Sequence, residues 1–503
     1  MPDQRFSDDG LVVGSSVDRE KLRSAASDLE AELAPLISDA PGSAIGLIDR
    51  NGLVVSILKG STQAAGGTPI SLKTRFEVGS VTKSFTASAV LALVQQGKLK
   101  LDGPADQYLP ALAGVRYPSR DSPRITLRHL LTHTSGLPRV GPLDTTHDPG
   151  EAEVLQSLDG LALVRAPGTL SDYSNLGYIV LAQVIRAVTG EAYEKFVEEQ
   201  VLKPLGSDAT FSPGPAAASG YSRGASGPRP EKSKQRGAAG GSGGLWGSLE
   251  DVARFASWQL QAWPPSSDPE FGPLSRATRR LAHTAAWPLP ARLREHHGLN
   301  YSEARAVGLG WQVYERCDQG RVVWHNGVTN GFAAAVYLAV ESGVGVVVLA
   351  NLRDAKVDQI SRTALAFLAD HGLVRAEMER AGPAIVAAAK DAVGLYNHWD
   401  AARYTEGFSE GFRELLPPEA MAAALASKRA KFGVCRPLDA SQIAEVRSPD
   451  HVIFRLECER GQPLMIVHGA AFGRPRVDLW VVDPGKDPLE QSSCGVRPGS
   501  EEQ

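Results

Sequence analysis

The decapeptide FEVGSVTKSF, Phe76 to Phe85, carries the strongest local chemistry in the chain and, with it, the fold. Ser80 and Lys83 stand three residues apart where a loop gives way to Val81–Gln96, an apolar run with helical spacing. On a helix that spacing puts both side chains on one face. A helix start also leaves backbone N–H groups unpaired, so negative charge developing on Ser80 Oγ is favoured there. A lysine desolvated by its neighbours has a lowered pKa and can take the serine proton. The pair reads as a nucleophile with its base.

S-x-x-K is short, and about one match is expected by chance in a chain this long. Ser56-Ile57-Leu58-Lys59 also fits, but in a predicted strand, where residues three apart point to opposite faces. The esterase pattern G-x-S-x-G occurs around Ser222 and Ser242, inside a Gly/Ser/Pro/Ala-rich stretch (212–244) that is expected to be a long exposed loop without the strand-turn-helix an exposed nucleophile needs.

Outward from Ser80, Asn51-Gly52 sits between two short apolar runs, 44–48 and 53–58, and predicts a tight hairpin. Further strands are predicted much later, at 310–315, 321–325, 332–340 and 344–350, followed by a helix over 357–373. Early and late strands are expected in one sheet, preceded by a helix over 19–37. The middle reads as helices, including 178–188, 192–201 and 249–261 with a Ser248 cap. After Gly382-Pro383, helices at 384–396 and 418–429 precede alternating strands, which suggests a small α+β domain.

Two more constellations follow in order. Asp172-Tyr173-Ser174-Asn175 comes after the turn Ala166-Pro167-Gly168, and His325-Asn326-Gly327 ends a predicted strand. S-x-x-K, then Y-x-N, then a basic residue with Gly two later resembles the motif set of active-site serine penicillin-recognising enzymes. ITLRHLLTHTSGLP (125–138), PGTLSDYSNLGYIVLAQVI (167–185), KPLG (203–206), GGLWGSLEDVARF (243–255) and GLGW (308–311) are similar to blocks of its class C β-lactamase-like branch, across roughly residues 25 to 375. That branch includes D-Ala-D-Ala carboxypeptidases, D-aminopeptidases, aminohexanoate-oligomer hydrolases and β-lactamase-like carboxylesterases.

The resemblance implies an α/β (α+β) fold: an antiparallel sheet flanked by helices with an inserted helical subdomain, plus the small C-terminal α+β domain. The expected boundaries are 19–378 for the hydrolase domain, with its insert over about 95–305, then 384–484, then a tail over 485–503. It further implies that Ser80 forms an acyl-enzyme and that Lys83 and Tyr173 share the base and relay work, the owner of the proton being open. Asn175, His325, Asn326 and Gly327 are implied in substrate binding, and the Ser80 and Val328 backbone N–H groups in the oxyanion hole. His-Asn-Gly in place of Lys-Thr-Gly argues for an esterase or D-amino-acid peptidase over a β-lactamase, since a histidine is only partly charged near neutral pH. A penicillin-binding or peptidoglycan-sensing module without turnover is the alternative from another class. His129 and His133 read as packing or capping residues, and Trp246 as a cleft residue.

Composition sets the outer limits. The 503 residues, with 53 Lys and Arg against 57 Asp and Glu, carry a net charge of -4, which gives no basic field for nucleic acid. The expected partner is a small or peptide acyl substrate, with no cofactor and no metal; the oligomeric state is open. Four Cys cannot form a disulfide scaffold, and no ligand spacing for zinc is present. Cys435 and Cys458 end neighbouring predicted strands, as a disulfide pair fit for an oxidising compartment or as two buried thiols. No transmembrane stretch is read, because Phe332–Leu352 is broken by Glu341-Ser342-Gly343. The acidic N-terminus lacks a signal peptide's basic start, so the chain as written is expected in the cytoplasm, or in the periplasm or outside the cell if a leader has been removed. Residues 384–484 resemble a nuclear-transport-factor-2-like domain.

Overall fold

The computed structural model describes residues 18–143, 148–233, 236–296, 299–374, 383–439, 442–448, 451–469 and 477–482. These residues fall into two compact units, 18–374 and 383–482.

The first unit is organised on an eight-stranded sheet: β1 (Gly42–Asp49), β2 (Gly52–Gly60), β3 (Trp287–His296), β4 (Leu299–Val307), β5 (Gln312–Arg316), β6 (Gly320–Val328), β7 (Ala333–Ala339) and β8 (Val344–Ala350). The order is β2-β1-β8-β7-β6-β5-β4-β3, with every neighbour antiparallel. Early and late strands share the sheet as expected, through the pairing of Ser43–Asp49 with Val344–Ala350.

The central strands are covered on both faces, which is why they read as unbroken apolar runs. In β7, Ala333, Ala335, Tyr337 and Ala339 enter one core, while Ala334, Val336 and Leu338 enter the other. Helices α1 (Arg19–Ser24) and α2 (Ala26–Ile37) close the first of these cores through Leu22, Leu29 and Leu33. Helix α3 (Thr82–Gln95) and helix α4 (Asn175–Thr189) form the centre of the helical body. Helix α5 (Leu249–Leu260) packs the other sheet face, and α6 (Val357–Asp370) returns to the first face beside α2.

From Thr82 to Leu93 every residue of α3 is buried, so this helix is an internal post and not an amphipathic surface element. Its polar side chains find partners inside: Ser84 donates to the Gly310 carbonyl at 2.9 Å, and Thr86 Oγ1 lies 2.7 Å from Tyr193 Oη. Phe85 stacks on Phe255 at 3.7 Å between ring centroids. Burying each such large side chain stabilises the fold by roughly 1.5–3 kcal/mol, and the rigid post fixes the turn that carries Ser80.

Two sequence expectations change. Within the segment expected as a helical insert, 287–307 is a β-hairpin that widens the sheet. Its outer strand carries Pro288, Pro290, Arg292 and Arg294, chemistry that suits an unpaired edge. The Gly-rich stretch is only partly exposed: Gly237–Ser242 forms a 3-10 turn with Ala239–Ser242 buried. A Cβ on Gly241 would lie 2.7 Å from the Tyr178 carbonyl, so glycine here permits backbone to press on α4.

The second unit contains α7 (Pro383–Asn397), α8 (Ala401–Gly407), α9 (Glu410–Leu415), α10 (Pro418–Phe432) and a four-stranded antiparallel sheet. Its strands are β9 (Ile443–Ser448), β10 (His451–Arg455), β11 (Leu464–Gly469) and β12 (Val477–Val482), in that order. Tyr396, Tyr404, Phe454 and Met465 are in its core. Cys435 and Cys458 are disulfide-bonded. Among the described residues no helix is long and apolar enough to cross a membrane.

Candidate active site

Ser80 lies in a 3-10 turn, Gly79–Val81, that leads directly into α3. Gly79 has φ +54°, a left-handed conformation that favours glycine. The turn presses against the end of β6: a Cβ on Gly327 would stand 2.1 Å from the Val78 carbonyl oxygen and 2.7 Å from Ser80 N. Only glycine fits between strand and turn. β6 also outruns its neighbour, because Trp324 pairs with Gln312 while His325–Val328 pair with β7 alone. Thr329 N–H donates to the Phe332 carbonyl at 2.9 Å, so ladder alternation turns Val328 N–H outward, toward the open edge beside Ser80. The Val328 N–H thus lies on the strand end that is packed against the Ser80 turn.

Lys83 Nζ is fully buried and sits 3.1 Å from Ser80 Oγ, 2.9 Å from Asn175 Oδ1 and 2.5 Å from the Ser242 carbonyl. Burial pushes its pKa well below the usual lysine range, with the Arg236 and Arg139 charges adding to the effect. A neutral amine donates two N–H bonds, here to Asn175 and Ser242, and its lone pair is left for the Ser80 hydroxyl proton. The Tyr173 hydroxyl is hydrogen-bonded to Ser80, and burial pushes its pKa up to about 12. Ser174 caps α4 by accepting from Gly177 N–H at 3.0 Å, which sets Asn175 at the first turn facing Lys83.

His325 is buried, and its Nδ1 lies 2.7 Å from the Asn326 carbonyl. Burial, and after it the Lys83 charge, lowers its pKa to about 3, so the ring is uncharged throughout the neutral range and is not the partly charged group its residue type suggested. Asn326 is on the opposite face of the strand: its Nδ2 donates to Asp358 of α6 at 2.6 Å, which leaves only its backbone along the open edge. Next to these groups a cavity of 260 Å³ is lined by Ser171, Tyr173, Leu289, Val307, Gln312, Trp324 and His325, among others. Trp246 is buried against Phe332 and does not line it.

His133, read from the sequence as a packing or capping residue, packs against the site itself. It alone among the described non-glycine residues has positive φ, +59°. Its ring lies 4.3 Å from that of Tyr173 and 5.1 Å from that of Tyr178, and its Nδ1 accepts from Ser174 N–H at 3.1 Å. The available signal was a run of small polar residues, Thr132 to Ser135, held between Leu131 and Leu137 with no helix or turn pattern to explain it. His129 caps a helix with Thr126, as expected. The competing serines are occupied elsewhere: Ser222 Oγ donates to Glu231 at 2.6 Å in a hairpin, and Ser242 Oγ to the Ala239 carbonyl at 3.1 Å. Ser56 is exposed on β2, and Lys59 pairs with Glu30. No metal-ligating group of three or more His, Cys, Asp or Glu occurs among the described residues.

Burial depresses the pKa of His133 and His283 as well, the latter to about 3. A histidine whose folded pKa lies below its unfolded value stabilises the fold fully above about pH 6.5 and less as pH falls, because the unfolded chain binds the extra proton. Each of the three rings loses its stabilising contribution progressively as pH falls from about 6.5 toward its lowered folded pKa. Calorimetry is therefore expected to show a steep fall in Tm between pH 7 and 5; a flat Tm across that window would show that these rings are not buried uncharged.

The Beta-lactamase family profile matches residues 29–371. The D-alanyl-D-alanine-carboxypeptidase/endopeptidase AmpH of Escherichia coli is 31% identical over 321 residues, 62% of this chain and 80% of AmpH. The unguisins hydrolase ungD' of Aspergillus campestris is 27% identical over 301 residues, 56% of this chain and 54% of that protein. Protein flp of Staphylococcus aureus is 27% identical over 295 residues, 57% of this chain and 55% of flp. The match takes in the sheet, the helical body and the turn bearing Ser80, and the chain belongs to the β-lactamase family.

Proposed function

We propose that this chain is a serine hydrolase that opens carboxylic esters or amides through an acyl-enzyme on Ser80, as an esterase or D-amino-acid peptidase. One observation carries it: the buried Lys83 amine, with two carbonyl-type acceptors for its N–H bonds and Ser80 Oγ at its remaining side. The substrate carbonyl oxygen points at Ser80 and Val328 N–H, the acyl carbon is attacked by Ser80 Oγ, and the serine proton passes to Lys83 Nζ. Tyr173, which keeps its own proton below pH 12 or so, hands that proton to the leaving group and is reprotonated by the one Lys83 took from Ser80, which returns the amine to its neutral form. Water then cleaves the acyl-enzyme by the reverse path. Burial moves the two groups in opposite directions, which favours the amine over the phenolate as base. Asn175 holds the amine in place, and the uncharged His325 lines the cleft without attracting a carboxylate.

In this reading residues 19–378 carry the chemistry, and the 384–484 domain lies outside it. The likeness to AmpH, a carboxypeptidase/endopeptidase by name, supports an amide substrate, whereas the uncharged His325 supports substrates without a terminal carboxylate at that position. Labelling the whole protein with a fluorophosphonate, followed by peptide mapping, is expected to place the adduct on Ser80. An adduct on Ser222 or Ser242 would overturn the mechanism. Acylation without turnover on p-nitrophenyl esters, nitrocefin and D-amino-acid amides would favour the sensing module instead.

A further inference from the structure

Two guanidinium groups, Arg236 and Arg139, lie near the Ser80–Lys83 pair, and they are not equivalent. Lys83 faces Ser80. Arg236 lies 3.5 Å from the buried carboxylate of Glu77, and its guanidinium carbon sits 3.8 Å from where a Cβ on Gly243 would be, so it is held between the serine turn and the Gly-rich segment. Arg139 is exposed, with its guanidinium carbon 5.3 Å from the centroid of the Tyr173 ring. Among the described residues no carboxylate pairs with Arg139. Its backbone is nevertheless fixed: the carbonyl accepts from Asn175 N–H at 2.8 Å and from Leu176 N–H at 3.3 Å, the first residues of α4.

The described residues therefore present a guanidinium with no carboxylate partner among them, from a backbone held by α4 and beside the Tyr173 ring. The cavity that Tyr173 also lines is walled by Leu289, Val307, Trp324, Gln312 and uncharged histidines, and Arg139 is not among its lining residues. Tyr173 thus touches both a neutral cavity and a guanidinium. A guanidinium offers a planar fork of donors matched to a carboxylate, and its weak hydration makes exchange of water for that partner favourable.

We propose that Arg139 is a specificity-determining residue that receives a carboxylate carried by the substrate at the mouth of the site. This rests on Ser80 being the nucleophile of a hydrolase. The carboxylate belongs to either the acyl part or the leaving group, and two matched pairs of esters separate these sources. Mono-p-nitrophenyl succinate against p-nitrophenyl butyrate tests the acyl side; 3-carboxyphenyl butyrate against phenyl butyrate tests the leaving side. With the full chain, Arg139→Gln is expected to lower the anionic-to-neutral ratio of kcat/KM about tenfold in one pair, through KM and not kcat, with Arg139→Lys recovering part of the loss. Added salt is expected to lower the same ratio in the native protein. An unchanged ratio in both pairs, with neutral esters cleaved through Ser80, removes this proposal alone. Absence of any Ser80-dependent cleavage, scored by Ser80→Ala, removes the hydrolase reading and this proposal with it.

Discussion

Lys83→Met is expected to lower kcat/KM on a neutral ester by about 10⁴-fold while leaving the fold intact, because a general base contributes up to about that factor and the thioether has no basic nitrogen. Methionine fills nearly the same volume on a helix buried on every side. Circular dichroism and Tm control for packing, since the Asn175 and Ser242 oxygens lose their donor in the variant. The comparison that assigns the proton is Tyr173→Phe, which is expected to lose less, about 10²-fold, because it removes a relay and not the base. A larger loss for Tyr173→Phe than for Lys83→Met would make the phenol the base. The pH profile carries an independent sign: activity is expected to rise with pH as Lys83 loses its proton, at a midpoint well below the ordinary lysine range.

Gly327→Ala is the second large effect. Its methyl group would lie 2.1 Å from the Val78 carbonyl and 2.7 Å from Ser80 N, both backbone atoms with no side-chain rotation to give way. Strand β6 must then part from the serine turn, and the Ser80 and Val328 N–H groups no longer address the same oxygen. Loss of one such donor costs about 10²- to 10³-fold in kcat, and the steric clash destabilises the fold by about 1–3 kcal/mol. The expected signature is a fall in kcat with little change in KM, together with a Tm several degrees lower. Native-like kcat in this variant would mean that the oxyanion is held elsewhere.

How much of this was legible follows from what each residue's role depends on. The Ser80–Lys83 pair was readable because a spacing of three puts both on one helix face, and Tyr173 and Asn175 because the ordered motifs resemble those of the penicillin-recognising enzymes. The shared sheet was readable from apolar runs long enough to be buried on both faces. The direction of Asn326 was also within reach, since adjacent residues on a strand face opposite ways and His325 and Asn326 cannot both point into the site. What stayed hidden depends on contacts distant in sequence. The 287–307 hairpin alternates Trp287, Leu289, Ala291 and Leu293 with two prolines and two arginines, and the prolines argue against a strand until its place at the sheet edge is known. Glycines 240 to 244 looked like a flexible tract but serve close packing, which composition cannot distinguish from looseness. The charge state of His325 is set by its burial and by the neighbouring Lys83, neither of which its residue type reveals.

The place of β1 in the middle of the sheet bears on how the chain is made. Ser43 finds its partner in Ala350, about 300 residues later. At about 5–20 residues per second, the ribosome needs roughly 15–60 s to deliver β8 after β1 has emerged. For that interval the hairpin of β1 and β2 has one bare edge, and the apolar residues of α3 have no finished core around them. Until β8 has been made, the inner edge of β1 has no native partner, so the sheet cannot close before most of the catalytic unit exists.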